Sequence, residues 1–287
     1  MQTEISNDSK DNGTPSQIPT LSADALFHYL RFAQALSIEV GDLLREGYYR
    51  SREIARKSER ELVTSVDIAA EKLIHARINA EFPEHDILSE ELGTNQDMNV
   101  PELWVVDPLD GTNNFAHGFP VFAVSLAFVH NGAMQVGVVH DPMRQEIFAA
   151  TAIDKAYMNG EQILVSDTKE LSAALLATGF PYDRAGAENN LDHFANFWYA
   201  SQGIRRAGSA ALDLCYVAAG RLDGFWELKL KPWDMAAGAL IAQRAGAIVT
   251  NFAGAPWTLR NDRIIAANPN IHGQMLDIIK GQIGFAK

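Results

Sequence analysis

Cysteine is almost missing from this chain: Cys215 is the only one among 287 residues. A lone cysteine excludes an intrachain disulfide framework and cysteine-rich zinc sites, and it fits a reducing compartment such as the cytoplasm. Basic residues are scarce too, with 24 Lys and Arg against 36 Asp and Glu and a net charge of −12. That balance argues against nucleic-acid binding, which depends on Lys and Arg to neutralise phosphates. A small anionic substrate stays open, because a local cation can invert the field inside one pocket. No apolar run approaches the roughly 20 residues needed to cross a bilayer, so no membrane role is expected. Residues 1–20 are polar and lack the apolar core of a signal peptide, which reads as a flexible extension. A P-loop signature, internal repeats and low-complexity tracts are also missing.

What is present is ordinary globular material, 47% hydrophobic and 21% charged. A chain of this length buries enough surface to need no metal or disulfide staple. Ser22 is a plausible N-cap, and Leu26, Leu30, Ala33, Val40 and Leu44 recur at helical spacing to about Arg45. A second helix fits Asp67 to Phe82, with Ala70, Ile74, Ile78 and Phe82 on one stripe. The period then changes. Val121 to His130 and Met134 to His140 flank Asn131-Gly132, a strong hairpin signal, and Glu146 to Ala150 follows as a third antiparallel strand.

The second half alternates. Strands are expected at Ala174–Gly179, Gly203–Arg206, Leu222–Leu228, Ala247–Asn251 and Arg263–Ala267. Helices are expected at Leu191–Ser201, Ser209–Ala219, Trp233–Ala245 and Ile271–Ile283. Helices and strands mix throughout, so the chain should form layers of both.

The most informative segment is Trp104-Val-Val-Asp-Pro-Leu-Asp-Gly-Thr-Asn-Asn-Phe115. An apolar strand ends at Asp107, and Pro108 cannot extend a ladder, so the chain is expected to turn there. Two carboxylates on one tight turn can bind a hard divalent cation through oxygen, with the Leu109 carbonyl between them as a further ligand. Gly111 leaves room for a close anion, and free N–H groups can grip phosphate if a helix starts. Alone, Asp-x-x-Asp-Gly also reads as a plain Asx-type turn with solvated carboxylates. Asp67 also reads as the acidic residue of a capping box, Glu90 and Glu91 as a solvated pair, and Asp234 and Ser209 as helix N-caps. Glu227 also reads as an exposed strand residue. The eight histidines are scattered, His130 and His140 read as strand residues, and Arg205-Arg206 reads as structural or solvated.

Four segments together resemble the inositol monophosphatase family. They are Leu62-Val63-Thr64 with Asp67, Ser89-Glu90-Glu91, Trp104 to Thr112, and Trp233-Asp234-Met235-Ala236-Ala237-Gly238. The resemblance implies an α+β fold, a five-layer α-β-α-β-α sandwich. Within one catalytic unit of residues 21–287, it implies a large antiparallel sheet over 21–160 and a smaller mixed sheet over 161–287. It implies Mg²⁺-dependent, lithium-sensitive hydrolysis of a small phosphomonoester, inositol 1-phosphate or a similar phosphorylated polyol. It also implies a homodimer, and the single cysteine leads us to expect a cytoplasmic location.

The resemblance carries roles residue by residue. Glu90, Asp107 and the Leu109 carbonyl hold one Mg²⁺, and Asp107, Asp110 and Asp234 a second. A third, weaker Mg²⁺ sits near Glu90 in relatives. Gly111 and Thr112 contact phosphate, Thr112 orients the attacking water with Glu90, and Asp67 supports Thr112. Asp110, Gly208, Ser209, Ala210 and Glu227 face the substrate. Lys57 and Ser58 fall on a loop that closes over the metals in relatives. The chemistry is consistent: an oxygen-only donor set suits Mg²⁺ or Mn²⁺ rather than zinc. Similar folds act on histidinol phosphate, fructose 1,6-bisphosphate or nucleotide 3′,5′-bisphosphates, and a regulatory binding protein on the same fold is the alternative of another class.

Overall fold

The computed structural model describes residues 21–50, 54–56, 62–91, 98–182 and 190–282. The extension 1–20 and the loop residues Lys57 and Ser58 lie outside them. Helix α1 covers Ala23–Tyr49, and the Ser22 side chain accepts from the Ala25 N–H at 3.2 Å. A two-stranded ribbon follows, β1 (Ile54–Arg56) paired antiparallel with β2 (Leu62–Thr64). Helix α2 spans Ser65–Glu81 and buries Ala70, Ile74 and Ile78, the stripe read from the spacing.

The first sheet has seven strands in sequence order: β3 (Asp86–Ser89), β4 (Glu102–Asp110), β5 (Ala123–His130), β6 (Ala133–Asp141), β7 (Glu146–Thr151), β8 (Ala156–Met158) and β9 (Glu161–Gln162). β3 runs parallel to β4, and every other pair is antiparallel. The short helix α3 (Thr112–His117) leaves the end of β4. At the β5–β6 turn Asn131 and Gly132 have φ of 49° and 79°, as a two-residue turn matching strand twist requires. Asn159-Gly160, with φ of 51° and 85°, makes the same turn between β8 and β9, a hairpin the apolar pattern did not mark.

The second sheet is built from β10 (Leu175–Thr178), β11 (Gly203–Arg205), β12 (Gly224–Leu228), β13 (Ile248–Thr250) and β14 (Arg263–Ala267). Its spatial order is β11-β10-β12-β14-β13, parallel on the β11-β10-β12 side and antiparallel on the other. Helices α4 (Leu191–Ala200), α5 (Ala210–Ala218), α6 (Pro232–Arg244) and α7 (His272–Ile279) alternate with these strands. α1 extends one turn beyond the expected Arg45, and α7 closes at Ile279 rather than running toward residue 283.

Three apolar cores set the layering. One packs α1 and α2, through Leu36, Val40, Leu44 and Ile74, against Trp104 and Phe128 of the first sheet and Phe122 just before β5. A middle core seats α5 and α6 between the two sheets. A third packs Phe197 of α4 and Met275 of α7 on the outer face of the second sheet, against Trp226 and Ile265. The resulting α-β-α-β-α stack places α5 and α6 where their first turns meet the end of β4.

Candidate active site

The strand that carries the two central aspartates does not stop at Pro108. β4 continues to Asp110, and its register against β5 jumps from Asp107↔Ser125 to Asp110↔Ala123. One extra residue is thereby inserted, a β-bulge, so the missing Pro108 N–H falls where the ladder is already open. The expected turn is therefore a bulge. It keeps Asp107 and Asp110 near one another at the sheet end, where the Asp107 Oδ1 accepts from the Leu109 N–H at 2.9 Å.

The chain then bends sharply at Gly111. Its φ of 100° is left-handed, and a Cβ there would lie 2.9 Å from the Val121 carbonyl oxygen. Glycine is required on both counts. α3 starts at the next residue, so its first N–H groups lack intrahelical acceptors. The Thr112 hydroxyl stands 3.0 Å from Asp67 Oδ1 and 3.0 Å from the Leu109 carbonyl oxygen. It has one proton, so it donates to one acceptor at a time and keeps its lone pairs for an incoming donor. Asp67 is buried at 1% exposure, in the first turn of α2, which makes it more than a solvated capping acid.

The third aspartate arrives from 124 residues further on. Pro232 takes the first position of α6, and Asp234 Oδ2 accepts from the Lys231 N–H at 2.7 Å. Lys231 is the N-cap and Asp234 lies in the first turn. Ser125, opposite Asp107 in the ladder, donates to the Trp233 carbonyl oxygen at 3.1 Å and pins that helix start to the first sheet. α5 is tied in the same way: Asp110 Oδ2 accepts from the Ser209 hydroxyl at 2.6 Å and from the Ala211 N–H at 2.8 Å. Ser209 is also the N-cap of α5. Asn114 of α3 reaches the same turn, donating to the carbonyls of Val121 and Ala207 at 2.8 Å each, with Gly208 O at 3.3 Å.

Asp107, Asp110 and Asp234 each place a carboxylate oxygen within 4.8 Å of the others. Two unit charges at that distance repel by about 3 kcal/mol at an effective dielectric constant near 20. Burial first, then the neighbouring carboxylates, holds Asp107 and Asp234 well above the usual carboxylate range. Burial raises Asp110 to about 6, against the Ser209 and Ala211 hydrogen bonds that pull it down. Asp107 and Asp110 are buried and Asp234 half-buried, and such an all-oxygen, mutually repelling donor set fits hard divalent cations, whose charge would remove the repulsion.

Around this cluster lies a cavity of about 630 Å³. Glu90, Leu109, Gly111, Thr112, Gly208, Ser209, Ala210 and Glu227 all line it, so residues from four segments converge there. Glu90 is half-buried at the end of β3, and its charge raises all three aspartates. It is not one of the three carboxylates within 4.8 Å. Glu91 is half-buried rather than solvated, and its N–H donates to Glu71 of α2 at 3.2 Å. Glu227 is 8% exposed, and burial with the nearby Asp213 charge raises its carboxyl to about 8. It is therefore not an exposed strand residue.

Sequence reasoning missed Asp213, Arg206 and Tyr182, which also line the cavity. Asp213 had a usable signal, since it follows Ser209 by four residues on one helical face. Arg206 was read as structural or solvated, yet its charge acts on Asp213, Glu227 and Tyr182. Tyr182 stands in a loop after β10 and carried no pattern at all.

The sequence model of the inositol monophosphatase family matches residues 26–282. The chain is 41% identical over 264 residues to an inositol-1-monophosphatase of Synechocystis, covering 91% of this chain and 92% of the relative. It is 45% identical over 233 residues to the Nus factor SuhB of Pseudomonas aeruginosa, covering 79% and 86%. An inositol monophosphatase structure from Anabaena superposes with a TM-score of 0.82 at 39% identity, covering 90% of this chain and 97% of that one.

Proposed function

The chain belongs to the inositol monophosphatase family and is a divalent-metal-dependent phosphomonoesterase, and from that premise we propose that its substrate is inositol 1-phosphate or a similar polyol phosphate. The observation that carries this reading is the pairing of two regions in one cavity. An oxygen-only cluster of Asp107, Asp110 and Asp234 and the buried carboxyl of Glu227 both line it. A phosphate needs positive charge, and a hydroxyl-rich leaving group needs acceptors.

In this proposal Glu90, Asp107 and the Leu109 carbonyl would hold one Mg²⁺, Asp107, Asp110 and Asp234 a second, with a weaker third near Glu90 and Mn²⁺ as a substitute. When bound, such cations supply a more acidic water and charge stabilisation for the attacking and leaving oxygens. The remaining work belongs to the chain. Gly111 and Thr112 offer backbone N–H groups to the phosphate at the start of α3. The Thr112 hydroxyl donates a hydrogen bond to Asp67 and accepts one from the attacking water, which orients that water for in-line displacement. Glu90 takes up one proton from that water, and the proton returns through solvent to the departing alkoxide. Ser209 and Ala211 hold Asp110 in place, while the turn at Gly208, Ser209 and Ala210 and the carboxyl of Glu227 receive the alcohol end. Water and ester become inorganic phosphate and the free alcohol.

The proposal extends to setting and assembly. A homodimer is supported by Leu191, Trp198 and Tyr199 of α4, which are 57%, 60% and 66% exposed. A cytoplasmic location rests on the single cysteine, and residues 21–287 are taken as one catalytic unit. A second reading, a regulatory role beside catalysis, is supported by the likeness to a Nus factor.

The deciding experiment is inorganic phosphate release from inositol 1-phosphate with and without Mg²⁺, beside histidinol phosphate, fructose 1,6-bisphosphate and adenosine 3′,5′-bisphosphate. Mg²⁺-dependent release that favours inositol 1-phosphate is expected. Preference for one of the other three overturns the polyol assignment. No release from any, with Mg²⁺ bound, favours the regulatory reading.

A further inference from the structure

Helix α2 carries a polar column beside its apolar stripe. Asp67, Glu71 and His75 recur at four-residue spacing and share one helical face. Asp67 and Glu71 are 1% and 0% exposed, and the His75 side chain is half-buried. The neighbouring stripe of Ala70, Ile74 and Ile78 is buried in the first core, which fixes the helix and the column with it. Asp67 meets the Thr112 hydroxyl. The other two meet the end of β3. Its ladder with β4 runs only to Ser89↔Val106, so Glu90 lies beyond the last paired residue. The two residues that flank Glu90 are tied to α2 instead. His75 Nε2 stands 3.0 Å from the Ser89 hydroxyl, and Glu71 Oε1 accepts from the Glu91 N–H at 3.2 Å. The same Glu71 oxygen lies 3.7 Å from His75 Nε2, which joins the two ties. A buried carboxyl carries a desolvation penalty of several kcal/mol, and an apolar side chain would fill the same space without it.

We propose that Glu71 is a positioning residue for the metal site: by holding the Glu91 N–H, while His75 holds Ser89, it fixes the backbone on both sides of Glu90 and presents the Glu90 carboxylate to a divalent cation. This rests on the reading of Glu90 as a metal ligand and extends it. A ligand already held in place gives up less conformational freedom when a cation binds. Glu71 is outside the residues that line the cavity, so it acts through Glu90 and touches neither cation nor substrate. One face of α2 then serves two parts of the centre. Asp67 orients Thr112, and Glu71, one turn further on, orients Glu90.

The test is Mg²⁺ titration of the full chain by isothermal calorimetry, without substrate. Glu71→Met fills the same space with no acceptor and should weaken Mg²⁺ binding about tenfold. Glu71→Gln removes the charge but keeps an oxygen for the Glu91 N–H, so its loss should be smaller, about threefold. Beside Glu90→Gln, Glu71→Met should have little further effect, because the ligand it positions is gone. Ser89→Ala cuts the tie to His75 by removing one oxygen and should weaken Mg²⁺ binding about threefold; it carries the test should Glu71→Met fail to fold. Unchanged affinity in Glu71→Met, or in Ser89→Ala where Glu71→Met does not fold, overturns the positioning role. A loss of equal size in Glu71→Gln and Glu71→Met also overturns it, since that marks a charge effect, as does a Glu71→Met loss that persists in full beside Glu90→Gln. The two readings separate cleanly. Wild-type affinity in Glu90→Gln alone overturns Glu90 as a ligand, whereas weakening in Glu90→Gln but not in Glu71→Met overturns the positioning role and leaves the ligand standing.

Discussion

Replacing Asp110 with asparagine should make the metal-free protein more stable while sharply lowering its turnover. In the folded chain burial lifts the Asp110 carboxyl from its ordinary 3.8 to about 6. That displacement corresponds to about 3 kcal/mol for carrying the charge in the fold at pH 8. Asp107 and Asp234 share the repulsion and take up protons of their own, which brings the expected gain to about 2 kcal/mol. Asparagine keeps an acceptor oxygen for Ser209 and Ala211, and its amide can donate to a neighbouring carboxylate. A carboxyl whose pKa is higher in the fold binds its proton more tightly there. The resulting stabilisation is complete below pH 3.8 and is lost as the pH rises through about 6. Asparagine does not titrate. The variant should therefore gain little near pH 4 and open its full advantage by about pH 8, as a rise in melting temperature of about 4–8 °C. The assay is thermal and urea unfolding in EDTA across that range, repeated with Mg²⁺. At tenfold excess over its dissociation constant, Mg²⁺ should return about 1.4 kcal/mol to the wild type and less to the variant. Equal or lower stability of the variant in EDTA at pH 8, or an advantage that does not change with pH, refutes the reasoning.

Three further outcomes follow from the same geometry. Thr112→Val removes the hydroxyl 3.0 Å from Asp67 and should lower kcat about 100-fold, with Thr112→Ser retaining most of the rate in steady-state phosphate release. Asn114→Ala removes the contacts that join α3 to the carbonyls of Val121 and Ala207, and urea denaturation should show a loss of about 2 kcal/mol. Lithium at millimolar concentration should inhibit Mg²⁺-dependent phosphate release; unchanged activity across that range would count against the second cation at Asp107, Asp110 and Asp234.

Much of the site was legible because its residues sit in dense local strings. Asp107, Leu109, Asp110, Gly111 and Thr112 fall within one β-strand end and one helix start, where only a few residue types satisfy both backbone and chemistry. Glycine at 111 is such a case: left-handed φ and a carbonyl 2.9 Å from its missing Cβ leave no alternative. Helix stripes such as Ala70, Ile74 and Ile78 and the Asn131-Gly132 turn were readable for the same reason, since 3.6-residue periods and positive φ are local properties. The Pro108 reading failed on a nonlocal fact. Whether a proline ends a strand depends on whether its partner strand offers a bulge at that point, and β5 does.

Sequence alone thus determined the residue types of the site, the acid-rich chemistry they allow and the order of helices and strands around them. Tertiary structure decided which carboxylates share a wall. Asp107 and Asp234 lie within 4.8 Å because Ser125 pins the start of α6 to the first sheet. Arg206 and Asp213 enter the cavity because α5 is sandwiched between two sheets, with its first turn bonded to Asp110. Charge and burial act through space. An aspartate at the fourth position of a helix is a solvated acid or a buried, unpartnered acceptor according to what packs over it, and that follows only from the assembled layers.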